Sequence, residues 1–174
     1  MSTPSAPNDD SASYVKAQTN GGSDPWTAQG THATQRLLEV AEVDAPDDVL
    51  QALKQKRVTV RRRLMLFDGV PVELTDSYYP LTVASGTALA EERKVRGGAP
   101  TLLAELGYVA HEVTEDVCAR PVTPAEATAL DLPERSTALV LLRVTRDREG
   151  RPFEVSRMVM RPEGRHLRYN WLVD

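Results

Sequence analysis

The residues best placed to do chemistry are three consecutive arginines, Arg61–Arg63, inside the segment Val58–Pro80. Side chains alternate along a strand, so Arg61 and Arg63 project from one face and Arg62 from the other. Two guanidiniums on one face can fork a carboxylate or a phosphate. The same spacing also describes a surface strand whose arginines lay their stems along the sheet. Glu154 and Ser156 stand two apart in a second strand-like segment and share a face in the same way. Arg120 ends a third strand-like segment, where it either joins a site or pairs with a nearby acid. Tyr78 and Tyr79 must point to opposite faces, one into a core and one toward a ligand or partner.

Positioning these groups requires a hairpin. Val58–Pro80 is rich in Val, Leu, Phe and Tyr and is broken at Asp68-Gly69, a strong turn signal. Loop length decides which residues accompany the arginines. A two-residue loop pairs Phe67 with Val70 and puts Arg61 and Arg63 beside Val72, Leu74, Asp76 and Tyr78. A three-residue loop, Asp68–Val70, pairs Phe67 with Pro71. Arg61 and Arg63 then join Glu73, Thr75, Ser77 and Tyr79, and Val58, Val60, Leu64, Leu66, Val72, Leu74 and Tyr78 form an apolar face. The three-residue loop is preferred because it separates a polar face from an apolar one. It also sets Arg62 opposite Asp76. On this reasoning, pairing of Phe67 with Val70 would defeat the face assignment.

The other elements follow in order. In Thr34–Val43, Leu37, Leu38 and Val40 fit a helical or a strand period; it is read as a strand because it is short and ends before Asp44-Ala45-Pro46, and Ala45–Lys54 reads as a short helix with Pro46 in its first turn. A loop and short helix occupy Leu81–Glu92, a basic Gly-rich loop Arg93–Pro100, and a short helix Pro100–Leu106. Tyr108–Arg120 alternates as a strand. Thr123–Leu130 is a helix with a capping box from Thr123 and Glu126. Ala138–Thr145, ALVLLRVT, is nearly continuous apolar, as in a central strand. After a turn at Asp147–Arg151, Phe153–Met160 returns. Phe153, Val155, Arg157 and Val159 take one face; Glu154, Ser156, Met158 and Met160 take the other. Arg165–Trp171 is a candidate closing strand. The fold class is α+β, an antiparallel β-sheet flanked by short helices. Residues 1–33 read as a flexible tail or linker and 34–174 as the folded domain.

The 174 residues carry 41% hydrophobic and 26% charged side chains, an ordinary globular balance, and a formal net charge of -4 that gives no global nucleic-acid-binding signature. Cys118 is the only cysteine, so no intramolecular disulfide forms. No apolar run is long enough for a helical membrane span, and the N-terminus lacks a secretory pattern, so the expected location is cytoplasmic. The nucleophile-elbow, phosphate-loop and zinc-helix motifs are missing. His32, His111 and His166 are scattered. Neither a metal nor a cofactor is expected.

The order of segments resembles the UTRA domain, the effector-binding half of HutC-type regulators in the GntR superfamily, of actinomycete type. The matching stretches are VRRRLMLFDGVPVELTDSYYP, ASGTAL, GGAPTLLAELGY, EDVCARPVTPAEATALDLP, LVLLRVTRDREGRPFEV and LRY, in that order over roughly residues 34–170. The resemblance implies a chorismate lyase-like fold, a small-molecule effector bound over the sheet, and a homodimer. It places Arg61 and Arg63 where the effector's anionic group is held, and Thr75, Arg120 and Glu154 at further pocket positions. Ser77, Tyr79 and Ser156 complete the expected ligand-binding set from their shared faces. Met160 stands where some members carry a tyrosine, a departure that weighs against a sugar phosphate. The family's N-terminal winged helix-turn-helix is not matched. The chain is therefore expected to sense without binding DNA by itself, acting alone or with a full-length regulator paralogue. A small lyase-like enzyme using Glu154, and a pure dimerisation module, are the alternatives.

Overall fold

In the computed structural model, residues 32–163 and 165–169 are described. The first 31 residues of the expected tail, and Asn170 and Trp171 of the expected closing strand, lie outside them. Six strands form one antiparallel sheet: β1 (Ala33–Asp44), β2 (Arg57–Phe67), β3 (Val70–Pro80), β4 (Glu112–Pro121), β5 (Thr137–Arg146) and β6 (Pro152–Met160), in the spatial order β1-β2-β3-β6-β5-β4. The two hairpins, β2–β3 and β5–β6, meet through β3 and β6, and β1 and β4 form the edges. Among the described residues four short α-helices accompany them, α1 (Asp47–Leu53), α2 (Leu81–Ala84), α3 (Ala99–Glu105) and α4 (Pro124–Leu130), with a 3-10 turn at Ala88–Ala90. Of Arg165–Trp171, only Leu167 makes a bridge among the described residues.

The central hairpin departs from the expected turn and still delivers the expected faces. Phe67 pairs with Val70 across a two-residue turn. Asp68 and Gly69 both have positive φ, 50° and 76°, which suits the tight hairpin turn and explains the Asp-Gly pair. The register then shifts between Leu66, opposite Pro71, and Met65, opposite Glu73, leaving Val72 as an extra residue on β3. This bulge adds back the residue the turn omits. Arg61 therefore faces Ser77, Arg62 faces Asp76 and Arg63 faces Thr75. Pairing of Phe67 with Val70 thus does not defeat the assignment. Val72 itself clusters with Ala33, Met65 and Phe67, not with Leu64 and Leu66 as expected.

A second bulge corrects β6. Thr145 pairs with Glu154 but Arg146 pairs with Pro152, so Phe153 is the extra residue. Phe153 packs with Tyr79, Val83 and Leu103 instead of sharing a face with Val155. A third bulge, at Leu38 in β1, lies between Leu37 opposite Arg63 and Glu39 opposite Arg62.

The sheet's apolar face is covered by α1 and α4. Val49 and Leu53 of α1 bury against Val58, Val60, Tyr78, Val144 and Val155. Ala127 and Leu130 of α4 bury against Leu64, Val140 and Val159. The Thr123–Glu126 capping box forms as the sequence suggests. On the opposite face, α2 and α3 close over Tyr79 and Phe153 through Val83, Ala84 and Leu103. Leu167 packs near Leu141, Met158 and Met160 farther along that face.

Candidate effector site

Between those two covered regions runs a belt of polar residues, one from each strand. Gln35 of β1 lies 3.4 Å from Arg63 of β2, which donates to the Ser77 hydroxyl of β3 at 3.0 Å. Ser77 and Ser156 of β6 are joined at 2.9 Å between their hydroxyls. Ser156 stands opposite Arg143 of β5, which donates through Nε to Glu115 of β4 at 2.7 Å. Period-two alternation in six registered strands produces this alignment. Ser77, Ser156 and Arg143 are buried. The Tyr169 hydroxyl donates to the other Glu115 oxygen at 3.0 Å.

The two same-face arginines have different surroundings. Arg61 is only 4% exposed. Its Nη1 reaches the carbonyl oxygens of Ala88, Leu89 and Glu91 at 3.2, 3.0 and 2.8 Å, and its Nη2 donates to that of Arg93 at 2.7 Å. It ties down the segment after α2, and this use revises the expectation of an anion clamp there. Burial is the main influence lowering its pKa. Arg63 is less committed: its Nε is buried with no hydrogen-bond partner. It lines a cavity of about 90 Å³ with Gln35, Arg61, Tyr79 and Lys94.

Tyr79 and Glu154 connect this region to the next. The Tyr79 hydroxyl donates to Glu154 Oε1 at 2.8 Å. Burial pushes the Glu154 carboxyl above its ordinary range, against the opposing influence of the Tyr79 hydrogen bond, Arg63 and Arg143. Burial, together with the Glu154 charge, also pushes the Tyr79 phenol well up. Thr75 is buried and donates to Glu73 Oε1 at 2.5 Å. Glu73 in turn forms a buried ion pair with Arg165.

Arg63, Thr75, Ser77, Tyr79, Glu154 and Ser156 therefore share one face with Arg61, as expected. Arg120 is not brought to it. Arg120 faces the other side of the sheet, level with Ala138, and binds Glu126 of α4 through two contacts of 2.7 Å. This corrects its placement in the pocket: the nearby acid has claimed it. Arg143, Glu115 and the Glu73–Arg165 pair were missed. The signal for Arg143 was an arginine breaking an apolar run at the two-residue spacing of Leu139, Leu141 and Thr145. Among the described residues, no group of three or more His, Cys, Asp or Glu is placed to hold a metal ion, and no helix is long and apolar enough to cross a membrane.

A six-stranded antiparallel sheet with a few short helices is the architecture of the chorismate lyase-like effector domains of transcription regulators. The UTRA domain model matches residues 28–164, and the chain belongs to the UTRA domain family. Domains of this family are regulatory ligand-binding domains of GntR-family transcription regulators rather than enzymes. No match to a curated protein was found. Among solved structures, the effector domain of PhnF from Mycobacterium smegmatis is similar at a TM-score of 0.75 and 19% identity, covering 91% of this chain and 99% of that one. The chain also aligns with the structure of PhnF itself, at a TM-score of 0.75 and 19% identity over 92% of this chain and 72% of that one. A ligand-binding domain from Bordetella bronchiseptica, assigned to a GntR-family regulator, aligns at a TM-score of 0.68 and 23% identity over 82% of this chain and 92% of that one.

Proposed function

We propose that this chain is the effector-sensing domain of a HutC-type GntR-family regulator and binds a polar or anionic metabolite over the sheet. The observation that carries the reading is Arg63. Its Nε is buried without a partner and its side chain borders the cavity of about 90 Å³ that Lys94 and Gln35 also line. That space is roomy enough for a carboxylate or phosphate group beside Arg63. Arg63 is the anion contact, Ser77 and Ser156 supply hydroxyls beside it, and Thr75, Tyr79 and Glu154 hold the surrounding network. Arg61 acts indirectly, by fixing the segment that carries Lys94.

The assembly in this reading is a homodimer, acting in the cytoplasm and able to pair with a full-length paralogue. Its support is a groove of about 690 Å³ on the opposite face, into which Leu38, Val117, Leu74 and Val159 contribute apolar surface; Leu38 and Val117 are exposed. No DNA contact by this chain alone is invoked. Isothermal titration with inorganic phosphate and a panel of carboxylate and phosphate metabolites tests the site. Binding lost in Arg63→Met supports it; any ligand found that binds Arg63→Met unchanged removes Arg63 from the site.

A further inference from the structure

A second cavity, of about 470 Å³, lies between α3 and the ends of β4, β5 and β6. It is within the ordinary range for small-molecule pockets, roughly 300–1,000 Å³. It shares no lining residue with the Arg63 cavity. Its walls are mostly apolar: Leu103 and Ala104 of α3, Val109, Val113 and the tilted aromatic pair Tyr108–Phe153, whose centroids are 5.7 Å apart. One buried polar atom there is unspent. Thr145 is 2% exposed, lines the cavity, and its hydroxyl has no hydrogen-bond partner. A buried hydroxyl left unpaired keeps the cost of its desolvation, so a ligand atom that pairs with it recovers free energy.

We propose that this cavity binds an uncharged, largely apolar molecule carrying one hydrogen-bonding oxygen, which pairs with the Thr145 hydroxyl. No lysine or arginine lines the cavity to hold an anion; the ionisable side chains on its wall are His111 and the Glu154 carboxyl. Glu154 is also the partner of Tyr79, which lines the Arg63 cavity. The Tyr79–Glu154 hydrogen bond is thus the partition between a compartment lined by Arg61, Arg63 and Lys94 and a mostly apolar one. Burial raises the Glu154 carboxyl above its ordinary range, against the opposing Tyr79 hydrogen bond, Arg63 and Arg143. This inference goes beyond the anion site and does not require it to be occupied.

Benzyl alcohol is the probe, with benzoate as its anionic counterpart, in titrations followed by amide NMR of the full chain. Benzyl alcohol is expected to shift the amides around Val113, Thr145 and Phe153 saturably, and benzoate to leave them unmoved. Thr145→Val preserves shape and removes only the hydroxyl. It should weaken benzyl alcohol about three- to ten-fold, the worth of one neutral hydrogen bond. Ala104→Phe, which fills the cavity from α3, should abolish the shifts and provides a second test should Thr145→Val fail to fold. Inorganic phosphate binding should be unchanged in Thr145→Val and lost in Arg63→Met, which separates the two compartments. Shifts that do not saturate, equal benzoate binding, or retention of full affinity in Thr145→Val or Ala104→Phe overturns the proposal.

Discussion

Replacing Arg61 and Arg63 separately by methionine should give opposite results. Arg61 touches four backbone carbonyl oxygens, at 3.2, 3.0, 2.8 and 2.7 Å. Nη1 has only two hydrogens for three of them, so the set is worth less than four separate bonds. Methionine keeps much of the stem's apolar packing and removes the donors. The carbonyls of Glu91 and Arg93 belong to exposed residues and can be rehydrated, whereas Leu89 is fully buried. The loss is then about one charged hydrogen bond, roughly 1.5–3 kcal/mol, plus one orphaned carbonyl at about 1–3 kcal/mol. Relief of burying the charge offsets part of this, in keeping with the lowered Arg61 pKa. A net cost of about 2–4 kcal/mol corresponds to a Tm lower by roughly 5–15 °C for a chain of this size. Arg63→Met breaks one hydrogen bond of 3.0 Å and a long one of 3.4 Å, while releasing a buried, unpaired Nε. Its stability should change by less than about 1 kcal/mol, and anion binding should disappear. Differential scanning calorimetry measures the first effect. Hydrogen exchange should show residues 88–93 opening in Arg61→Met alone. A Tm within 2 °C (roughly 0.5–1 kcal/mol) of the parent for Arg61→Met, or a larger fall for Arg63→Met, refutes the division of labour.

Further tests bear on the same network. Glu154 has a raised folded-state pKa, so its ionisation opposes folding: the cost is absent below the unfolded carboxyl range, near pH 4.3, and grows as pH rises through the folded value. Glu154→Gln should therefore gain stability over the parent toward neutral pH and lose that advantage in acid; urea melts giving a pH-independent difference would exclude this. Deleting Val72 leaves the Asp68-Gly69 turn but removes the compensating bulge, and should prevent folding, while Val72→Ala costs only about 2 kcal/mol; a native-like amide NMR spectrum for the deletion would disprove the register argument. Thr123→Ala removes the hydroxyl of the α4 capping box and should cost about 1 kcal/mol in chemical denaturation, with ligand binding intact. An effect on binding would mean that α4 reaches the site.

The fold was legible because alternation and turn chemistry are local. Five of the strands, the Asp68-Gly69 turn and the Thr123–Glu126 box can each be read from a few neighbouring residues, whereas the residues of β1 fit a helical period as well. Bulges are less visible in a single sequence. Nothing in DGVPVEL distinguishes a three-residue turn from a two-residue turn followed by an extra Val72, because both restore the same register beyond Glu73. The hydrophobic pattern selected the right faces while misplacing the residue that makes them right. Phe153 went to the wrong face for the same reason: a bulge interrupts the count.

The site was less legible because its partners are distant. Arg61 and Arg63 have the same residue type, strand and face, and spacing treats them as equals. What separates them is the backbone of residues 88–93, about thirty positions away, whose carbonyls converge on Arg61 and leave Arg63 free to border a cavity. Arg120 was lost to the site through a closer rival, Glu126, only six residues on. Arg143 was hidden because the apolar residues around it describe a central strand correctly. In a sheet with one apolar face and one polar face, an arginine's role is decided by whether the protein has already supplied enough acceptors for it. Arg61, Arg120 and Arg143 have carbonyl or carboxylate partners within the domain. Arg63 has two neutral side-chain oxygens and a buried Nε with none. An incoming anion would supply the charge-assisted partner that this environment lacks.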